Sequence, residues 1–122
     1  PVRRTELDPG AYTGGGFRAA LEVLRAGGLL ALFPEGGVNR TGLPLAPLRR
    51  GVAVLSVRTG APVVPAWIYG ADRALPLGSV VPRPRRVAVR FGPAIYPDAD
   101  PEEELLRRVQ AALLELHRQG PP

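Results

Sequence analysis

Leu29-Leu30-Ala31-Leu32-Phe33-Pro34-Glu35-Gly36-Gly37 is the stretch that sets the fold. From Leu29 to Phe33 the run is apolar without interruption, as in a short strand buried on both faces of a parallel sheet. Pro34 ends it, because proline has no N–H to give to a ladder. Glu35-Gly36-Gly37 then turns the chain, and in open α/β sheets the loop after such a strand is where ligands bind. Glycines there let the backbone approach a ligand and aim N–H groups at an anion, and a carboxylate orients a hydroxyl or a neighbouring guanidinium.

Outward from this stretch the pattern alternates between helix and strand. Upstream, Phe17, Ala20, Leu21 and Leu24 recur at i, i+3, i+4 and i+7 with Arg18, Glu22 and Arg25 opposite, predicting an amphipathic helix from Phe17 to Ala26. Gly27 and Gly28 stop it. Downstream, a polar turn over 35–42 leads to a helix with Pro47 in its first turn, Leu48, Val52 and Leu55 on one face, and Gly60 at its end. Ala61–Tyr69 reads as a second buried strand, with Pro65 at a bulge or where no partner needs its N–H. Residues 70–85 are irregular. Arg86–Phe91 alternates as a half-exposed strand near a sheet edge, with Val87, Val89 and Phe91 on one face and Arg86, Ala88 and Arg90 on the other. The last helix has Asp100 as N-cap, Pro101 at its first position, Glu103 at capping-box spacing, and Leu105, Val109, Ala112, Leu113 and Leu116 as its buried stripe.

This order predicts an α/β fold, a mostly parallel sheet flanked by helices, with Leu29–Phe33 and Val63–Tyr69 as adjacent parallel strands joined through one helix. So small a parallel sheet leaves edges and apolar faces uncovered, so the fold is expected to be incomplete at the N-terminus and completed by elements before Pro1. Pro1 at the start and the lack of Met agree with that expectation.

Composition narrows the chemistry. The chain has 122 residues, 45% hydrophobic and 22% charged, which fits one folded domain and not a disordered chain. With 0 Cys there is no disulfide, thiol nucleophile or Cys-ligated metal, and 1 His leaves no zinc site. No run approaches the roughly 18 apolar residues of a transmembrane helix, and no signal peptide opens the chain. The net charge of +5, with all 16 basic residues Arg, favours anionic partners.

Phe33-Pro34-Glu35-Gly36 resembles the third sequence block of the glycerolipid acyltransferases of the 1-acylglycerol-3-phosphate acyltransferase family, usually Phe-Pro-Glu-Gly-Thr-Arg-Ser. Val63-Val64-Pro65, within Gly60–Ile68, is similar to their fourth block, and Leu43–Thr59, with Arg50-Gly51-Val52-Ala53 opening a helix, fits the spacing between the two. Pro1-Val2-Arg3-Arg4 resembles the end of the second block, where an Arg binds the acceptor's phosphate. Val87-Ala88-Val89-Arg90-Phe91-Gly92-Pro93 is like the family's strand before its last helix, so the resemblance spans nearly the whole chain. It implies a glycerolipid acyltransferase-like fold. The implied activity is transfer of an acyl group from acyl-CoA or acyl carrier protein to a hydroxyl of lysophosphatidic acid or a related glycerol phosphate, in phospholipid synthesis. The implied location is cytoplasmic, at the inner face of an anionic membrane, with no cofactor beyond the acyl donor.

The family's general base belongs to a His-x4-Asp block that this chain lacks, so residues 1–122 resemble the C-terminal portion of the domain, with the block expected upstream of Pro1. The intact protein is expected to be an acyltransferase, while the chain alone is expected to be inactive, holding no catalytic residue and no metal ligand. Its expected substrate-binding residues are Arg4, Glu35, Gly36, Gly37, Arg40 and, from the fourth block, Pro65. Val38-Asn39 departs from the family's Arg-Ser, and Arg40 stands within reach of the same anion. His117, in the last helical turn, reads as a solvent-facing helix-end residue. Trp67 and Tyr69 read as core or pocket wall. Arg83, Arg85 and Arg86 read as a solvated loop or a contact for anionic headgroups. Arg49-Arg50 at a helix start opposes the helix dipole and points to an anion nearby. Two other readings stand beside this one: a catalytically silent acyltransferase-like domain, and a basic module for anionic lipid or nucleic acid. Nucleic acid is not expected, because there is no basic helix face, aromatic platform or zinc spacing.

Overall fold

The computed structural model describes residues 15–37, 39–70, 86–98 and 101–122. In chain order the elements are α1 (Gly15–Arg25), α2 (Gly51–Thr59), β1 (Ala66–Tyr69), β2 (Ala88–Phe91) and α3 (Glu102–Gln119). α2 packs against both α1 and α3, and α3 also packs against β1, which pairs with β2.

The predicted amphipathic stripes of the first and last helices are the buried ones. Ala20 and Leu21 of α1 meet Leu55 of α2, with Phe17, Leu24, Leu30 and Leu32 packed around them. α1 ends in a Schellman motif, in which Gly28 N–H donates to the Val23 carbonyl at 2.8 Å and Gly27 N–H to that of Leu24 at 3.1 Å. This needs the left-handed φ of +83° that Gly27 adopts without a Cβ clash. The larger core joins Leu105, Val109 and Leu113 of α3 to Ala53 of α2 and Ile95, with Leu45, Leu48, Val63 and Trp67 against it.

The strands differ from the sequence reading in two respects. The described sheet is two-stranded and antiparallel, with Ala66 opposite Phe91, Trp67 opposite Arg90, Ile68 opposite Val89 and Tyr69 opposite Ala88. A single antiparallel bridge, Val63 to Ile95, extends the pairing upstream and leaves Pro65 just before the strand, where only its carbonyl is used, by Gly92 N–H at 2.9 Å. Leu29–Phe33 forms no strand. Leu30 and Leu32 pack on α1 and α2, whereas Leu29 (92% exposed) and Phe33 are open. A parallel pair needs cover on both faces, and here helices cover only one. Parts of the two expected parallel neighbours, Leu29–Leu32 of Leu29–Phe33 and Val63–Ala66 of Val63–Tyr69, instead line one apolar groove of about 550 Å³.

The alternation along β2 is as read, and the structure decides which face is open. Val87, Val89 and Phe91 are exposed, while Arg90 lies on the α3 side and donates from Nε to the Gly120 carbonyl at 3.0 Å. On the same face, the Tyr69 hydroxyl donates to the Leu116 carbonyl and the Trp67 ring lies 4.9 Å from that of His117. The last carbonyls of a helix lack intrahelical partners, so strand residues that carry donors face them.

Two helix starts move as well. α2 begins at Gly51 and not around Pro47, and the segment before it gives the N–H groups of Ala46 and Arg49 to the 34–35 turn. Pro101, with φ −60° and ψ 155°, is the N-cap of α3 and not its first helical residue; no side chain caps the helix, and Asp100 lies outside the described residues.

Leu105, 0% exposed, is the centre of the larger core. Leu105→Ala is expected to cost about 2–5 kcal/mol, measured by urea denaturation. Phe91→Ala, at a side chain 69% exposed, is expected to change stability by no more than about 0.5 kcal/mol.

Candidate functional site

The turn that ends the apolar run is built by its own backbone and fastened by the segment before α2. Gly36 N–H donates to the Phe33 carbonyl at 3.0 Å, closing a turn with Pro34 and Glu35 at its corners. Two bonds then dock residues 46–49 onto it: Arg49 N–H donates to the Pro34 carbonyl at 2.7 Å, and Ala46 N–H to Oε2 of Glu35 at 2.7 Å. Glu35 is half-buried, and with one oxygen taken its other oxygen remains for a ligand.

Gly36 is buried with φ +77°, and a Cβ built there would lie 2.5 Å from both Cδ and Nε of Arg49. The missing side chain is thus what lets the Arg49 stem lie across the turn. Glu35, Ala46, Arg49, Arg50 and Gly51 line an open hollow of about 680 Å³. Arg50 is held in an ion pair with Glu102 of α3 at 2.8 Å, and that hydrogen bond, then the carboxylate's charge, raises the Arg50 guanidinium above its usual value. Glu102 thus supplies a carboxylate to Arg50 of the Arg49-Arg50 pair.

The expected site residues are only partly gathered. Glu35 and Gly36 stand together, but the Gly36 N–H is spent on the turn, while that of Gly37 has no partner among the described residues. Arg40 is exposed in the 39–43 loop, where Asn39 Nδ2 donates to the Leu43 carbonyl at 2.7 Å and Oδ1 of Asn39 accepts from Thr41 N–H at 3.0 Å. Arg40 forms no ion pair with Glu35 among the described residues. Pro65 is buried beside Gly92 and β1, with no contact to the hollow. Arg4 lies outside the described residues, as do Arg83 and Arg85. Arg49 is the residue that sequence reasoning left out of the site; its signal was the unfavourable pair of cations at the helix start. Among the described residues no cluster of His, Asp and Glu suits a metal ion, and no helix is long and apolar enough to cross a membrane.

Comparison with known proteins decides the family. The acyltransferase family model matches residues 2–69, more than half of the chain. The chain belongs to the acyltransferase family. It is 32% identical over 62 residues to the chloroplastic 1-acyl-sn-glycerol-3-phosphate acyltransferase BAT2 of Brassica napus, a match covering 51% of this chain and 18% of that protein. Its fold is similar to the crystal structure of the 1-acyl-sn-glycerophosphate (LPA) acyltransferase PlsC from Thermotoga maritima, with a TM-score of 0.76 and 27% identity over 87% of this chain and 44% of that one. The resemblance read from the third and fourth blocks therefore holds, and the fold is of the PlsC acyltransferase type. The chain spans less than half of the length of either relative.

The close fit at Gly36 is testable by stability. Gly36→Ala is expected to cost about 1–2 kcal/mol through its left-handed backbone and to push Arg49 off the turn. Gly37→Ala, whose Cβ meets nothing within 4 Å, is expected to stay within about 0.5 kcal/mol of the parent in the same urea titration.

Proposed function

We propose that this acyltransferase-family chain carries the acceptor-binding half of an enzyme that moves an acyl group from acyl-CoA or acyl carrier protein to lysophosphatidic acid or a related glycerol phosphate. The observation that carries the reading is Glu35, in the family's third block, held by the Ala46 N–H at 2.7 Å at the edge of an open hollow that also holds Arg49. One carboxylate oxygen is fixed by the backbone and the other is left to accept from a hydroxyl of the glycerol unit. The cations around the turn suit the acceptor's phosphate.

In the reaction, the acceptor's hydroxyl oxygen bonds to the thioester carbonyl carbon, the C–S bond breaks, and the free thiol leaves while a general base takes the hydroxyl proton. His117 is badly placed for that base. It stacks on Trp67 near the end of α3, and the helix from Glu102, which pairs with Arg50 beside the hollow, to His117 is about 22 Å long at 1.5 Å per residue. The base in this reading is a His-x4-Asp pair encoded before Pro1. Work at the cytoplasmic face of an anionic membrane fits the charge of +5 and an acceptor that is itself a lipid.

Thiol release from acyl-CoA with lysophosphatidic acid tests this directly. The full-length protein is expected to turn over, and the 122-residue chain is expected to give only background, since loss of a general base alone removes about 10²–10⁴ in rate. Turnover by the chain alone would place the base within residues 1–122. In the full-length protein, Arg4→Ala is expected to weaken use of lysophosphatidate by about ten- to a hundredfold, with much less effect on the acyl donor.

A further inference from the structure

We infer that Arg49 is an acceptor-binding residue, supplying beside Glu35 the cation that the family's third block usually supplies from the position of Val38. The inference rests on the acceptor-site reading above and adds a residue to it. Three observations converge on Arg49. Its N–H is bonded to the Pro34 carbonyl at 2.7 Å, which anchors its backbone to the third-block turn although it lies fifteen residues further along the chain. Its stem lies against Gly36 so closely that a Cβ there would come within 2.5 Å of Cδ and Nε, which sets the guanidinium over the same turn as the Glu35 carboxylate. Its guanidinium has no hydrogen-bond or ion-pair partner among the described residues, whereas the adjacent Arg50 is occupied by Glu102 at 2.8 Å.

The sequence supplies the complementary gap. Where related chains have Arg after Phe-Pro-Glu-Gly-Thr, this one has Val38, and Arg40 sits in a loop closed on itself by Asn39 and Thr41. A phosphate entering the hollow of about 680 Å³ meets Arg49 on its wall. An Arg guanidinium matches two phosphate oxygens with two parallel N–H groups, so it fixes the phosphate's orientation as well as its charge. The Glu35 carboxylate repels a phosphate and is left for the glycerol hydroxyl, so the pair separates the two ends of the acceptor. A glycerol monophosphate headgroup is the substrate class this arrangement fits.

The test uses the full-length protein and its Arg49→Ala, Arg49→Lys and Arg18→Ala variants. Steady-state kinetics vary lysophosphatidic acid and acyl-CoA in turn, and calorimetry reads glycerol 3-phosphate binding without turnover. Arg49→Ala is expected to raise KM for the acceptor and Kd for glycerol 3-phosphate by about ten- to a hundredfold, with kcat and the donor KM within about threefold of the parent. Arg49→Lys is expected to recover part of the loss, and Arg18→Ala, at an exposed side chain of α1 outside the hollow, to stay near the parent. An unchanged acceptor KM in Arg49→Ala, or a defect confined to the acyl donor, overturns the inference. If the parent transfers no acyl group, the proposed reaction fails, and calorimetry still judges Arg49: binding lost in Arg49→Ala upholds its role, and binding unchanged or undetectable in the parent refutes it.

Discussion

The apolar stripe of α3 is the surface on which the described fold is assembled. Leu105, Val109 and Leu113 meet Ala53 of α2 and Ile95, and Leu116 adds a backbone carbonyl that the Tyr69 hydroxyl reaches. Both ends of the helix are tied as well, Glu102 to Arg50 at the start of α2 and Gly120 to Arg90 of β2. The two exposed ion pairs internal to α3, Glu104 with Arg107 and Glu115 with Arg118, contribute little beside this, since solvent screens them. The stripe is the surface against which α2 and the sheet pack, and the turn at Glu35 is docked to the segment that leads into α2.

That inheritance runs through two hydrogen bonds. Residues 46–49 forgo a helical turn and give the N–H groups of Ala46 and Arg49 to the 34–35 turn. A strand-ending loop on its own is free to move, but here a segment docked to the core holds both the Pro34 carbonyl and the Glu35 carboxylate. The cost is a later start for α2 without a side-chain cap, which Arg50 partly offsets by reaching Glu102. The turn that carries Phe33–Gly36 is therefore positioned by residues outside it, in the Leu45–Arg50 strap.

The sheet shows solvent the face that a purely local reading would bury. Ile68, Val89 and Phe91 are exposed together, with Leu29, Phe33 and Val64 also open, while the aromatic and guanidinium face of the sheet lies on α3. Apolar surface gathered in this way marks interaction surfaces in folded proteins. The donors Tyr69 and Arg90 decide the orientation, because α3 offers carbonyls at its C-terminal end that need partners and the aliphatic side chains have nothing to donate.

The sequence by itself determined what depends on neighbours along the chain. The stripes of α1 and α3, the Gly27 and Gly60 stops, the turn at Phe33–Gly36, the alternation of β2 and the motif blocks that mark the acyltransferase family were all legible, because helical and strand periods and turn chemistry act over a few residues. Tertiary structure alone decided the rest. Alternation shows that Val87, Val89 and Phe91 share a face but not which way that face points, and an apolar run such as Leu29–Phe33 becomes a strand only if another backbone pairs with it. Arg49 escaped notice for the same reason: its place over Gly36 is set by a hydrogen bond between segments fifteen residues apart, and no local period encodes such a contact.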